Sequence, residues 1–280
     1  MSDANKLTLT GTGMPQVIEF SADATGVGKT TAAWRFRHHC DQHGVKTAMV
    51  TIESRGVTRS QAQRQRQQDV IIETEDFKRA RELPGGLVGV LQPLYLKIEK
   101  AAETHSIVIV DWAGGQAQAR LEALAATQFD ERLAELDLVG LAVIVSTCAI
   151  EKMDQASNNL LRTREVAPGL QRALLLNARG GAFEFIPGSA AAIAYKSLLK
   201  SAQGASIIRF PPIEGESWQE CQQAGLSMPQ VIKSKPAEVA AKTGMNRFTA
   251  AACRNEIAAW YLRTKASINQ VLPFRAADAV

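Results

Sequence analysis

The sequence predicts an α/β fold in which a mostly parallel sheet carries helices on both faces, giving three layers. Three observations predict it. Continuous apolar runs suited to strands buried on both sides recur at Val45–Ile52, Ser106–Val110, Leu138–Thr147 and Arg172–Asn177. Helix-patterned stretches separate these runs, the signature of parallel crossovers. A glycine-rich turn, Gly26–Thr31, joins the first apolar run to the first helix, and the other polar motifs also fall where strands end.

Composition fits such a fold and narrows little else. The chain has 280 residues, 46% hydrophobic and 21% charged, enough for one large domain with a sizeable core. We read residues 1–14 as a polar leader, 15–265 as a single domain and 266–280 as a tail. A formal net charge of +4 is too mild to argue for nucleic acid. Cys40, Cys148, Cys221 and Cys253 are scattered with no C-x-x-C pair, which argues against a metal cluster or a disulfide framework. Cys148 reads as a buried small hydrophobe. Residues Met1–Gly13 lack the basic-then-apolar order of a signal peptide, and no apolar segment approaches the ~20 residues needed to span a bilayer. A cytoplasmic location without membrane association is therefore expected.

Taken in order, Val17, Ile18 and Phe20 end a first strand, and a helix runs from Lys29 to about His43, closed by Gly44. Val45–Ile52 is the second strand, ending at Glu53-Ser54-Arg55-Gly56. Residues 57–69 are rich in arginine and glutamine and cannot bury themselves; the Arg59–Arg66 strip is a solvated face or a contact for phosphate backbone or a partner. Val70–Ile72 suits a short strand and Glu75–Glu82 a charged helix, broken at Pro84-Gly85-Gly86. A helix over Val88–Glu103 precedes the strand Ser106–Val110, which ends in Asp111-Trp112-Ala113-Gly114-Gly115. Leu121–Leu136 is helical, Leu138–Thr147 a strand, and Met153–Arg164 helical. Arg172–Asn177 and Ser206–Phe210 are strand-like, the latter followed by Pro211-Pro212. Residues 236–265 form C-terminal helices, with Cys253, Ile257, Trp260 and Tyr261 on one core-facing stripe.

The chemistry lies at the strand ends. A glycine-rich turn opening a helix points backbone N–H groups at one spot beside the positive end of the helix dipole, which suits phosphate. The pattern G-x-x-x-x-G-K-[ST] matches at Gly28, Lys29 and Thr30, with Asp23 in the place of the first glycine. Lys29 would neutralise the β- and γ-phosphates and Thr30 would ligate Mg²⁺. Asp111 ends a strand where an acid reaches the metal shell, and Gly114 admits backbone close to the γ-phosphate. Glu53 either orients an attacking water, or holds the outer metal shell, or is an exposed loop acid. Asn177 either reads an adenine edge or serves a turn. Phe210-Pro211-Pro212 either walls the base or serves a turn.

With these residues in line, the chain resembles the ParA/MinD-type P-loop ATPases, which act in plasmid and chromosome partition and in related positioning or mobilisation systems. The family loop K-G-G-V-G-K-[ST]-T stands here as Ala24-Thr25-Gly26-Val27-Gly28-Lys29-Thr30-Thr31. Its D-x-D-P-Q-G motif aligns with Thr51-Ile52-Glu53-Ser54-Arg55-Gly56, and its D-x-x-G motif with Asp111-Trp112-Ala113-Gly114. The resemblance implies a three-layer P-loop NTPase fold with ATP and Mg²⁺ as cofactors. It implies Lys29, Glu53 and Asp111 as catalytic residues and Thr30 and Asp111 at the metal. Nucleotide would be bound by Thr25, Gly26, Val27, Gly28, Lys29, Thr30, Thr31, Gly114, Asn177, Pro211 and Pro212. It further implies slow, partner-stimulated ATP hydrolysis, an ATP-dependent homodimer, a small DNA-binding adaptor and nonspecific DNA or nucleoid association, with Lys233, Lys235, Lys242, Arg247 and Arg254 as candidate DNA contacts. Two departures stand out: Ala24 replaces the signature lysine that reaches across the dimer, and Thr51 replaces the first aspartate of the second motif. Arg55 is one candidate for the missing charge. The competing expectations are an ATP-dependent ligase of the dethiobiotin-synthetase or cobyrinic-acid-synthase kind, and a nucleotide-binding scaffold of low turnover.

Overall fold

A computed structural model describes residues 13–53, 70–82, 85–213, 215 and 217–274 of the chain. The leader up to residue 12, the arginine/glutamine strip at 57–69 and Arg55 lie outside the described residues.

Seven strands form one sheet in the order β3-β2-β4-β1-β5-β6-β7, and every neighbouring pair is parallel. They are β1 Val17–Ser21, β2 Thr47–Glu53, β3 Val70–Glu73, β4 Ile107–Asp111, β5 Gly140–Ser146, β6 Gln171–Asn177 and β7 Ser206–Phe210. The chain first builds away from β1 on one side, then crosses it between β4 and β5. The carboxyl end of β1 therefore sits at the switch in strand order, where such sheets open a crevice for ligands.

Helices cover both faces, as predicted. On one face lie α1 (Lys29–Gln42) and the C-terminal helices α9 (Ser217–Gln223), α10 (Met228–Lys233), α11 (Pro236–Thr243) and α12 (Arg247–Asn269). Ile18 and Phe20 of β1 point into this layer with Phe36, Val231, Ile257 and Trp260. On the other face lie α3 (Gly86–Val90), α4 (Gln92–Thr104), α5 (Ala117–Thr127), α6 (Phe129–Glu135), α7 (Ile150–Val166) and α8 (Ala190–Ser201). The short α2 (Thr74–Arg79) follows β3.

Several expected helices divide. The stretch expected from Val88 to Glu103 is α3 and α4, because Pro93 cannot continue an earlier helix yet fits the first turn of a new one. The stretch Leu121–Leu136 breaks at Gln128, which takes φ 48 between α5 and α6. The last helix continues past residue 265 to Asn269, its N-terminus capped by Asn246 accepting from Thr249 N at 2.9 Å. The stripe Cys253, Ile257, Trp260 and Tyr261 is buried, as expected of core. Cys148 is not: it is half-exposed beyond β5, beside Gly181. Cys221 and Cys253, unpaired by any sequence spacing, bring their sulfurs to 3.7 Å as buried free thiols, and burial raises both above the usual thiol range.

Candidate nucleotide-phosphate site

The turn after β1 is shaped by its two glycines. Gly26 takes φ 73 and Gly28 takes φ 92, the left-handed region that side chains resist. Gly28 has a second constraint: a Cβ there would lie 2.3 Å from Asn177 Nδ2. The turn leads directly into α1, whose first residue is Lys29. An open cleft of about 320 Å³ lies over this junction, lined by Thr25, Gly26, Gly28, Lys29, Thr30 and Thr31 from the turn. Thr51, Ile52 and Glu53 line it from the end of β2, and Asp111, Trp112, Ala113 and Gly114 from the end of β4. Arg179, beyond β6, completes the wall.

Three ties hold the pieces together. Gly115 N donates to Asp23 O at 2.8 Å, joining the loop after β4 to the turn. Gly114 permits that approach, since a Cβ on it would meet Thr25 Cγ2 at 2.5 Å and the Thr25 backbone at 3.0 Å. Asn177 Nδ2 donates to Val27 O at 2.8 Å, and Asn177 Oδ1 accepts from Arg179 N at 3.3 Å. One amide thus fixes the crest of the turn and, at the same time, the segment bearing Arg179.

Charges of both signs meet in the cleft, Lys29 and Arg179 with Glu53 and Asp111. Lys29 is 6% exposed and its Nζ donates to Ala24 O at 2.7 Å. Burial lowers its pKa, while the carboxylates of Asp111 and Asp23 oppose the shift. Burial likewise raises Asp23, against Lys29, Arg120 and Arg162. Glu53 is 7% exposed and both of its carboxylate oxygens lack a hydrogen-bond partner among the described residues, as does the hydroxyl of Thr51. A buried carboxylate without a partner is costly unless a ligand supplies one. That is the observation of fit for a divalent cation or an attacking water. Glu53 is not the exposed acid that one reading expected. A triphosphate would find the N–H groups of Gly26–Thr31, Lys29 and the α1 dipole on the opposite side.

The structure thus gathers Thr25, Gly26, Gly28, Lys29, Thr30, Thr31, Glu53, Asp111 and Gly114 around one cleft. It does not bring the remaining predicted residues to the lining. The Val27 side chain is in the core and its carbonyl is held by Asn177. Asn177 spends both ends of its amide on the chain itself and not on an open base site. Phe210 is 2% exposed and packs edge-on to Trp260, so it is core and not a base wall. Pro211 and Pro212 lie beyond it, with Pro211 O accepting from Trp260 Nε1 at 2.8 Å. Among the basic residues expected to meet DNA, Lys233, Lys235, Lys242 and Arg247 are exposed, whereas Arg254 is half-buried and donates to Ile232 O at 3.0 Å.

Sequence reasoning missed two features. Arg179 follows the strand-ending asparagine in Asn177-Ala-Arg-Gly-Gly181, and that glycine-rich turn was its only signal. The other is a buried ionic network below the cleft. Glu19 of β1 pairs with Arg120 of α5, at 4% and 0% exposure. Arg120 also donates to Thr163 Oγ1 at 2.9 Å and Asn159 Oδ1 at 3.2 Å, and Trp112 Nε1 donates to Glu19 Oε2 at 3.2 Å. The indole next to Asp111 is therefore seated on a buried charge.

No family model matches the chain, and no curated protein matches it. Among solved structures it is similar to an apo GTPase from Pyrococcus abyssi (16% identity, TM-score 0.39, 76% of this chain and 96% of that one). It is also similar to an ATP complex of a Cyanothece McdA variant (12% identity, TM-score 0.45, 89% and 98%). A third is the MinC:MinD cell division protein complex of Aquifex aeolicus (14% identity, TM-score 0.38, 86% and 96%). The functional reading rests on the chain's own cleft.

Proposed function

We propose that the chain is a nucleoside-triphosphatase switch of the ParA/MinD type, binding ATP with Mg²⁺ at the cleft over Gly26–Thr31. The observation that carries the reading is the union of an anion cradle with a buried carboxylate that has no hydrogen-bond partner among the described residues: the turn and Lys29 on one side, Glu53 on the other. Lys29 would release Ala24 O and bind the β- and γ-phosphates, with α1 adding its dipole. Thr30 and Asp111 would hold Mg²⁺, which when bound neutralises phosphate charge and polarises the scissile bond. Glu53 would orient the attacking water. Arg179 would face the phosphates as the second cation of the lining. It has no described side-chain partner, and Ala24, 6% exposed, offers no charge of its own.

Nucleotide would then order the loops after Glu53 and Asp111 and favour a homodimer, with hydrolysis reversing both. Plasmid or chromosome partition, or a related positioning or mobilisation role through a DNA-binding adaptor, is the readout this switch would serve. The test is ATP hydrolysis by the full chain alone, with plasmid DNA, and with small DNA-binding proteins encoded beside it. Stimulation by DNA or such a partner, lost in Lys29→Ala, supports the reading. Turnover that requires a small carboxylic acid substrate would overturn it in favour of a ligase.

A further inference from the structure

The last helix, α12, carries a second pattern on the side away from its core stripe. Phe248, Ala252, Asn255, Ala259, Leu262 and Ala266 are all exposed, and their spacing is 4, 3, 4, 3, 4. That is the a/d seam of a coiled coil, with alanine at every a position and Phe248, Asn255 and Leu262 at d. On the far side of the same helix Ala250, Cys253, Ile257, Trp260, Tyr261, Thr264 and Ile268 are buried against the domain. Phe248 and Leu262 are 88% and 74% exposed, an unusual state for large apolar side chains on a helix whose other side is core.

We infer that this seam is a self-association surface, on which α12 of a second copy packs antiparallel. The argument is steric and electrostatic. With a two-fold axis near residue 257, each large residue meets an alanine of the other copy: Phe248 faces Ala266, Leu262 faces Ala252, and Asn255 faces Ala259. Alanine at every seventh position lets the two backbones approach closely, and the large-to-small alternation fills each layer to the same width. A parallel pairing would instead stack Phe248 on Phe248 and alanine on alanine, so the layers would alternate between too wide and too narrow. It would also gather Arg263 and Lys265 of both copies at one end. The antiparallel pairing sets the two Arg263 residues roughly 18 Å apart along the axis, opposite Thr249, and opposes the helix dipoles. The seam itself carries no charge.

The seam is about 27 Å long and about 10 Å wide, so it covers roughly 500 Å² over the two copies. That is under half of the ~1,200 Å² of a stable interface, so the pairing is weak, fast and concentration-dependent. It lies on the layer behind α1 and needs no nucleotide, so it is separate from the switch proposed above.

The test is sedimentation velocity of the full chain without nucleotide, from low to high micromolar. The weight-average mass should climb towards that of a dimer. Phe248→Glu/Leu262→Glu should return it to monomer at every concentration, with the unfolding midpoint unchanged because both side chains are exposed. In a Cys148→Ser background, Ala258→Cys, which lies beside the axis, should oxidise to a disulfide-linked dimer, while Ala252→Cys should not. A monomer at all concentrations, or an association that the double glutamate variant retains, overturns the inference. Cross-linking through Ala252→Cys and not Ala258→Cys overturns the antiparallel register. Loss of nucleotide binding in Lys29→Ala with self-association intact keeps the two proposals distinct.

Discussion

Removing Arg120 should cost far more than removing an ordinary surface cation. Arg120→Met deletes the partner of Glu19 and leaves that carboxylate 4% exposed, with only the Trp112 indole at 3.2 Å. It also strips Asn159 and Thr163 of a donor. Breaking one half of a buried ion pair typically costs about 3–5 kcal/mol, because an uncompensated charge stays behind. Against a total stability of roughly 5–15 kcal/mol this is a fifth or more of the fold. Glu19→Gln/Arg120→Met removes the charge while keeping an acceptor for Trp112. It should recover about 2 kcal/mol of the loss, since replacing both members of a buried pair is often close to neutral. The assay is urea unfolding of wild type, both single variants and the double, comparing midpoints at constant m-value. The reasoning fails if Arg120→Met costs less than about 1 kcal/mol, the range of an exposed pair. It fails equally if the double variant loses as much as the two singles combined.

Gly114→Ala would drive a Cβ to 2.5 Å from Thr25 Cγ2 and push the loop after β4 off the turn. ATP affinity, read by titration with a fluorescent analogue, should weaken at least roughly tenfold, about 1.4 kcal/mol. Lys29→Ala should abolish ATP binding yet leave the unfolding midpoint equal or higher, because burial already disfavours the charged lysine. Acid should weaken the interface between α1 and the C-terminal segment. His39 is fully buried against His43 and Phe274, and burial, with Arg35 and His43 adding, pushes it down to about 4 from 6.5. Its ring nitrogens make no well-formed hydrogen bond among the described residues, although the Leu272 backbone lies near enough to oppose the shift weakly. The unfolded histidine takes up its proton near 6.5 and the folded one only near 4, so stability is complete above pH 6.5 and falls between 6.5 and 4. The loss is about 3 kcal/mol, and His39→Phe should flatten that part of a pH–stability profile.

Much of the fold was legible because a sheet buried on both faces writes itself as uninterrupted apolar runs. Ile107–Val110 and Leu141–Val145 admit no other reading beside a glycine-rich turn. The glycine-rich turn was legible for a related reason: its shape is carried by backbone, so a short contiguous motif specifies it. What escaped depends on residues far apart in the chain. Glu19 interrupts the first apolar run, and nothing local says that Arg120, 101 positions later, will neutralise it. Arg179 joins the cleft only because β6 ends beside β5. Asn177 reads from the sequence as a nucleotide contact or a turn residue, and nothing local names its partner, Val27 O, 150 positions away. The break at Gln128 lacks a glycine or proline, so the left-handed turn there left no mark in the sequence.

The amide of Asn177 also bears on how the protein is made. The motif at Gly26–Thr31 leaves the ribosome early, but the latch that holds Val27 O comes from β6. A nascent chain therefore carries the motif long before it carries a finished cradle. Until β5 and β6 have joined β1, the turn lacks its brace and Glu19, buried in β1, waits for Arg120. Contacts of such sequence separation are slow to close and leave strand edges open meanwhile. Nucleotide, which can recognise only the completed turn, would arrive as a late stabiliser of the finished domain and not as a template for its early folding.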